Sequence, residues 1–176
     1  MMIIKEALVD PLNQQIRNEF ANMFGYLALS VYFEHETLPE LAAFFSRQAE
    51  DERFHAMKFV NFLLAVDLSP VIPGVPEVNN SFASAEAAVQ FALNQELKTT
   101  DQINRLVTLA TAEGDHTTNQ FLQWFVTEQV EEVNTMTSLL QTIKHAGGNL
   151  LWVEDFVRRH MPAVSTAGEV AANAGG

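Results

Sequence analysis

Five residues able to hold a proton or a metal ion stand among apolar neighbours: Glu19, Glu52, His55, Glu96 and Glu132. Glu19 lies between Ile16, Phe20 and Met23, and Glu96 closes the run Phe91-Ala92-Leu93-Asn94-Gln95. Glu52 and His55 are three residues apart, on one face of a helix. The spacing repeats. Glu52 follows Glu19 by 33 residues, Gln129 follows Glu96 by 33, and Glu132 follows Gln129 by three as His55 follows Glu52. The halves read Glu…Glu-x-x-His and Glu…Gln-x-x-Glu. One Glu-x-x-His pair is ordinary on a helix surface, but two matched halves with mid-helix acids describe a buried layer. Desolvating each ionised carboxylate costs on the order of several kcal/mol, so protons or cations must sit among them.

Oxygen donors with a single imidazole suit iron or manganese; copper prefers more nitrogen, and zinc favours His and Cys. In this reading Glu19, Glu52 and His55 hold one ion. Glu96, Glu132 and a share of a bridging Glu52 surround a second, and Gln129 adds at most a neutral oxygen. The second ion is therefore expected to be held more loosely. Tyr26, seven residues after Glu19, lies on the same helical face, where its hydroxyl could reach a ligand. Trp124 reads as core or as an electron donor. His35, His116, His145 and His160 fall at helix ends or loops and read as solvent or capping groups.

Four long helices must position these groups. Ile16, Phe20, Met23, Phe24, Leu27 and Val31 recur at helical spacing and predict an apolar core face on the first, about Ala7 to Glu34. Thr37-Leu38-Pro39-Glu40 reads as a capping box opening the second, which runs to about Val66. Ser84 is placed to cap a third, Ala85 to Ala112. Gly114 ends it, and Asp115 or His116 opens a fourth that Gly147-Gly148 stops. Asn149 caps a short fifth helix ending near His160. Short turns make two antiparallel hairpins. The 17 residues from Asp67 to Ala83 can span about 55 Å. A 28-residue helix is about 42 Å long, so the linker can return along the whole bundle. The expected fold is all-α: a four-helix bundle with one long crossover and a short fifth helix, the ferritin-like arrangement. Residues 1–160 form its domain, and 161–176 a small-residue tail expected to be flexible.

Composition narrows the function. A net charge of −12 argues against a nucleic-acid backbone as partner, and cysteine is absent, which removes disulfide and thiolate-metal scaffolds. No stretch reaches the roughly 20 apolar residues that span a bilayer, and the N-terminal residues lack signal-peptide regions. A cytoplasmic location is expected.

At these residues the chain resembles the bacterial non-haem ferritins over about residues 5 to 160. The matching segments are Asn18-Glu19-Phe20, Glu52-Arg53-Phe54-His55, Asn94-Gln95-Glu96 and Gln123 through Glu132; Leu38-Pro39-Glu40-Leu41 and Ile72-Pro73-Gly74-Val75 look closest to actinobacterial members. The resemblance implies a 24-subunit cage that oxidises Fe(II) with O2 or H2O2 and stores a ferric oxyhydroxide mineral. It places a di-iron ferroxidase centre at Glu19, Glu52, His55, Glu96 and Glu132, with Gln129 and Tyr26 beside it. It implies a third iron position at Asp51, Glu128, Glu131 and Glu132, where Asp51 replaces the Glu of several relatives. Haem is not expected, since Arg53 stands where haem-binding bacterioferritins carry Met, and the fourth helix has Gln129-x-x-Glu132 rather than Glu-x-x-His. The fifth helix speaks against the mini-ferritins. Asp115, Asn119 and Gln123 are candidates for a threefold pore. A di-iron or di-manganese oxidase or peroxidase on the same bundle is the alternative.

Overall fold

Helices run wherever the chain can bury one apolar face without interruption, and four such stretches of 27 to 31 residues dominate the molecule. The computed structural model describes residues 3–74 and 77–161. A single 3-10 turn, Glu6–Leu8, leads into α1 (Val9–His35), followed by α2 (Pro39–Ala65), α3 (Ala85–Ala112), α4 (His116–Ala146) and α5 (Leu150–His160). Pro11 lies in the first turn of α1, where its missing N–H breaks no helical bond. The tail expected to be flexible lies outside the described residues.

Three of the helix ends share one device. After α1, α2 and α3 the chain turns through a left-handed residue, Thr37, Asp67 and Gly114 respectively, each with φ near +60°. The next N–H then reaches back across the end: Leu38 N to Phe33 O, Leu68 N to Leu63 O, and Asp115 N to Ala110 O, at 2.9, 2.9 and 2.8 Å. This satisfies carbonyls that would otherwise be orphaned. Only one of the three is glycine, so two of these stops carry no glycine signal.

Ser84, Asp115 and Asn149 cap α3, α4 and α5 as expected, accepting from the backbone of Ala87, Thr118 and Trp152. The capping box before α2 does not form. Thr37 is held in the left-handed conformation and Leu38 occupies the cap position, without a side-chain acceptor. Glu154, from α5, takes over: its two carboxylate oxygens accept from Glu40 N and Leu41 N at 2.8 and 2.9 Å. Pro39 has no N–H, so this one buried carboxylate satisfies the exposed donors of the first turn and docks α5.

The crossover returns along the bundle. Val71 N donates to Asn13 Oδ1 at 2.7 Å near the start of α1, and Phe82 packs edge-on against Tyr32 near its end. Those anchors are about 28 Å apart along the helix at 1.5 Å per residue. α3 therefore starts parallel to α2.

The core falls into two apolar clusters. One, around Tyr26, Phe33, Phe45, Leu139 and Val153, fills the end where α5 docks. The other, around Leu12, Phe59, Leu63, Leu122 and Phe125, fills the opposite end. Each fully buried Leu or Phe contributes about 1.5–3 kcal/mol. The inward face of α1 is Leu12, Ile16, Glu19, Tyr26, Leu29 and Phe33. Of the stripe expected from sequence, Ile16 lies on that face and Phe20 and Met23 pack half-buried against the two core clusters, but the rest drifts off it. Phe24, Leu27 and Val31 are 37, 46 and 63% exposed and form an outward apolar strip instead.

Candidate metal centre

Between the two apolar clusters lies the acidic layer. α1 contributes Glu19, α2 Glu52 and His55, α3 Glu96, and α4 Gln129 and Glu132, all buried. Each is near mid-helix, so antiparallel packing of similar helices brings them to one level. Ligand atoms of Glu19, Glu52 and His55 lie within 4.8 Å of one another, and so do those of His55, Glu128 and Glu132. His55 Nδ1 is 3.6 Å from Glu52 Oε2.

The decisive observation is which atoms have no partner. Glu19 Oε2, Glu52 Oε2 and His55 Nε2 are buried without a hydrogen bond. An unsatisfied buried polar atom costs about 1–3 kcal/mol, and three on one half-site need a common explanation. A cation held between them would supply it, and two carboxylates with an imidazole fit one. Glu96 differs: it accepts hydrogen bonds from the Tyr26 hydroxyl and, at 3.4 Å, from Gln129 Nε2. Gln129 Oε1 accepts from Thr100 at 2.9 Å. The amide expected to offer an oxygen to the second ion thus presents its NH2 to Glu96 and its oxygen to Thr100.

Burial pushes the carboxyls of Glu19, Glu52 and Glu132 well above their ordinary range, and neighbouring carboxylates add to this: Glu52 on Glu19, Glu96 on Glu52 and Glu132. Glu96 is raised too, chiefly by burial, and the Tyr26 hydroxyl opposes that rise. Tyr26 itself is pushed well above its usual value by burial and then by Glu96. Without cations the layer holds protons, which a divalent ion would displace.

An open cleft of about 820 Å³ between α2, α4 and α5 runs up to this layer, with Gln48, Asp51, Glu128, Glu131 and Glu132 on its wall. All four residues expected at a third iron position therefore face one space. Burial raises Asp51 and Glu128 above the usual carboxylate range. Sequence reading assigned Glu128 to that third position alone, but the structure brings it to His55 and Glu132 as well.

An aromatic wall around His55 was not foreseen. Trp124 and Phe125 stand edge-on to its ring at centroid distances of 5.5 and 6.0 Å, and Lys58 Nζ lies 4.1 Å from the Trp124 ring centre. Burial lowers the Lys58 ammonium from its ordinary value. Trp124 is half-buried at the centre's edge. Of the pore candidates, Asp115 is buried and fully engaged, accepting from Thr118 N at 2.9 Å and Lys5 N at 2.7 Å. It cannot face a channel while it caps α4. Gln123 and Asn119 hydrogen-bond each other at the surface.

The model of the ferritin-like domain family matches residues 9–146. The chain belongs to the ferritin family. Ferritin BfrB of Mycolicibacterium smegmatis is 45% identical over 165 residues, covering 94% of this chain and 91% of that protein. A bacterial non-heme ferritin of Staphylococcus saprophyticus is 30% identical over 130 residues, 74% of this chain and 78% of that protein. The structure of an open pore ferritin from the archaeon Archaeoglobus fulgidus superposes with a TM-score of 0.86 at 29% identity, covering 89% of this chain and 99% of that one. Iron storage is the function of the family, and the carboxylate–imidazole cluster of this ferritin is compatible with a di-iron site. Among the described residues no helix is long and apolar enough to cross a membrane.

Proposed function

We propose that the chain is a ferroxidase subunit, with Fe(II) as substrate and O2 or H2O2 as oxidant. The observation that carries this reading is the convergence of three unpartnered buried atoms, Glu19 Oε2, Glu52 Oε2 and His55 Nε2. These three residues bind the first ferrous ion, and the protons held by the raised carboxyls of Glu19 and Glu52 leave as it enters. Glu96, Glu132 and a bridging Glu52 take the second, with Gln129 and Tyr26 beside them. Each ion gives up one electron. With two protons taken from solvent, the pair of electrons reduces O2 to hydrogen peroxide, or H2O2 to two waters. Ferric product moves past Asp51, Glu128, Glu131 and Glu132 into the cleft, the acidic route that leads away from the layer.

The outward apolar strip Phe24, Leu27 and Val31 supports assembly, since such patches mark contacts between chains. We read the assembly as a 24-subunit cage working in the cytoplasm, with residues 1–160 as its structural unit. The test is anaerobic loading with two ferrous ions per chain followed by air, with absorbance recorded and particle size measured by light scattering. Rapid ferric absorbance in a large hollow particle is expected. Oxidation no faster than in buffer alone, or a monodisperse monomer, would overturn the reading.

A further inference from the structure

Glu19 has two carboxylate oxygens in different circumstances. Oε2 is unpartnered, while Oε1 accepts from Gln15 Nε2 at 2.8 Å. Gln15, one turn earlier on α1, is itself buried. Its second N–H points across to α3, 3.3 Å from Gln102 Oε1, and its own Oε1 accepts from Asn18 Nδ2 at 3.1 Å. Asn18 Oδ1 in turn accepts from Gln14 Nε2 at 3.0 Å. Every donor and acceptor of the Gln15 amide is thus engaged, from two helices. An ionised carboxylate only accepts, so the NH2 end must face Glu19 when a cation is bound.

We infer that Gln15 is a positioning residue for the centre: by occupying Oε1 it makes Glu19 a one-oxygen ligand through Oε2. The inference rests on the ferroxidase reading of Glu19. A Gln buried only to fill space would be satisfied by Gln102 and Asn18. The bond to Glu19 does something further, since it divides the carboxylate into a tethered oxygen and a free one. Partners that orient a ligand in this way change metal affinity by about 10–100-fold when removed. Freed from the tether, Glu19 can turn both oxygens toward the ion. The first ion then gains a donor atom but loses the fixed geometry that favours its capture.

Gln15→Met keeps the length and removes the amide. Anaerobic Co(II) titration is the probe, because its visible bands weaken as donor atoms are added. We expect about tenfold weaker binding of the first Co(II) and reduced band intensity per bound ion, with wild-type helicity. Wild-type affinity and spectrum in Gln15→Met would overturn the inference. Should that variant fold poorly, Gln102→Leu removes the α3 anchor at a half-buried position. The same spectral change in smaller measure supports the role of Gln15; an unaltered spectrum and affinity overturn it. Glu19→Ala separates the two levels of argument. If it titrates like wild type, the metal reading of Glu19 itself has failed. If it loses the first Co(II) while the Gln15 and Gln102 variants do not, only the positioning role has failed.

Discussion

The two hairpins carry matched residues in unlike states. In α1–α2, Glu19, Glu52 and His55 each leave a buried atom without a partner. In α3–α4, Glu96 is tied to Tyr26 and Gln129, and Gln129 to Thr100. Apart from protons shared between Glu19 and Glu52, the first half-site has no bond to give up when a cation arrives. The second must give up bonds it already has. Sequence repetition therefore does not imply equal affinity, and the inequality comes from hydrogen bonding as much as from the exchange of Glu for Gln.

The strongest way to break this comparison is Glu52→Ala, which removes the carboxylate proposed to be shared by both halves. Rapid ferrous oxidation should slow by at least about 10–100-fold while the helices persist. Stopped-flow absorbance checks it, and a wild-type rate would remove Glu52 from the centre.

Next comes pH. Burial raises Glu19, Glu52, Glu96 and Glu132 in the folded chain, so the folded state binds more protons than the unfolded one above the ordinary carboxylate range. This contribution is fully present below the unfolded value of about 4.3 and is lost as pH rises through the raised values. Thermal melts of the metal-free protein should therefore show the layer's contribution declining from pH 5 toward neutrality. Glu52→Gln should flatten that decline. An unchanged slope would mean the layer is not protonated as described.

A smaller effect sharpens the inequality of the halves. Tyr26→Phe frees one oxygen of Glu96, and Gln129→Glu replaces the amide with an anionic oxygen. Either should tighten the weaker ferrous site several-fold and leave the tighter one unchanged in anaerobic titration, by removing a competing hydrogen bond. If both sites move together, the halves are not independent. The smallest change lies outside both. Glu154→Gln keeps one of the two bonds capping α2 and should cost about 1 kcal/mol in melts, with ferrous oxidation unaltered.

Much of this was legible because it is local. Ser84, Asp115 and Asn149 cap the helices they precede, which is read within a few residues, and the 33-residue spacing that marks the layer is read within each hairpin. What escaped depends on partners far along the chain. Glu154 lies more than a hundred residues from the α2 turn it caps, so Thr37 looked like the cap. The setting of the Gln129 amide depends on Glu96 and Thr100, both on another helix. Asp115 suits a pore by its place at the start of α4, but Lys5 N, 110 residues away, occupies its second oxygen. Phe24, Leu27 and Val31 fit a helical period as well as the true inward face does, and only packing separates the two series.

Dividing the apolar core into two clusters with an acidic waist between them has a consequence for motion. Each end is sealed by close-packed side chains, so the cheapest opening of the metal-free bundle is at its middle. Amide exchange should be fastest, for backbone of equal burial, around Glu19, Glu52, Glu96 and Glu132. A cation there would join four helices at the level where they otherwise part, so loading should slow exchange at mid-bundle and leave the ends unchanged.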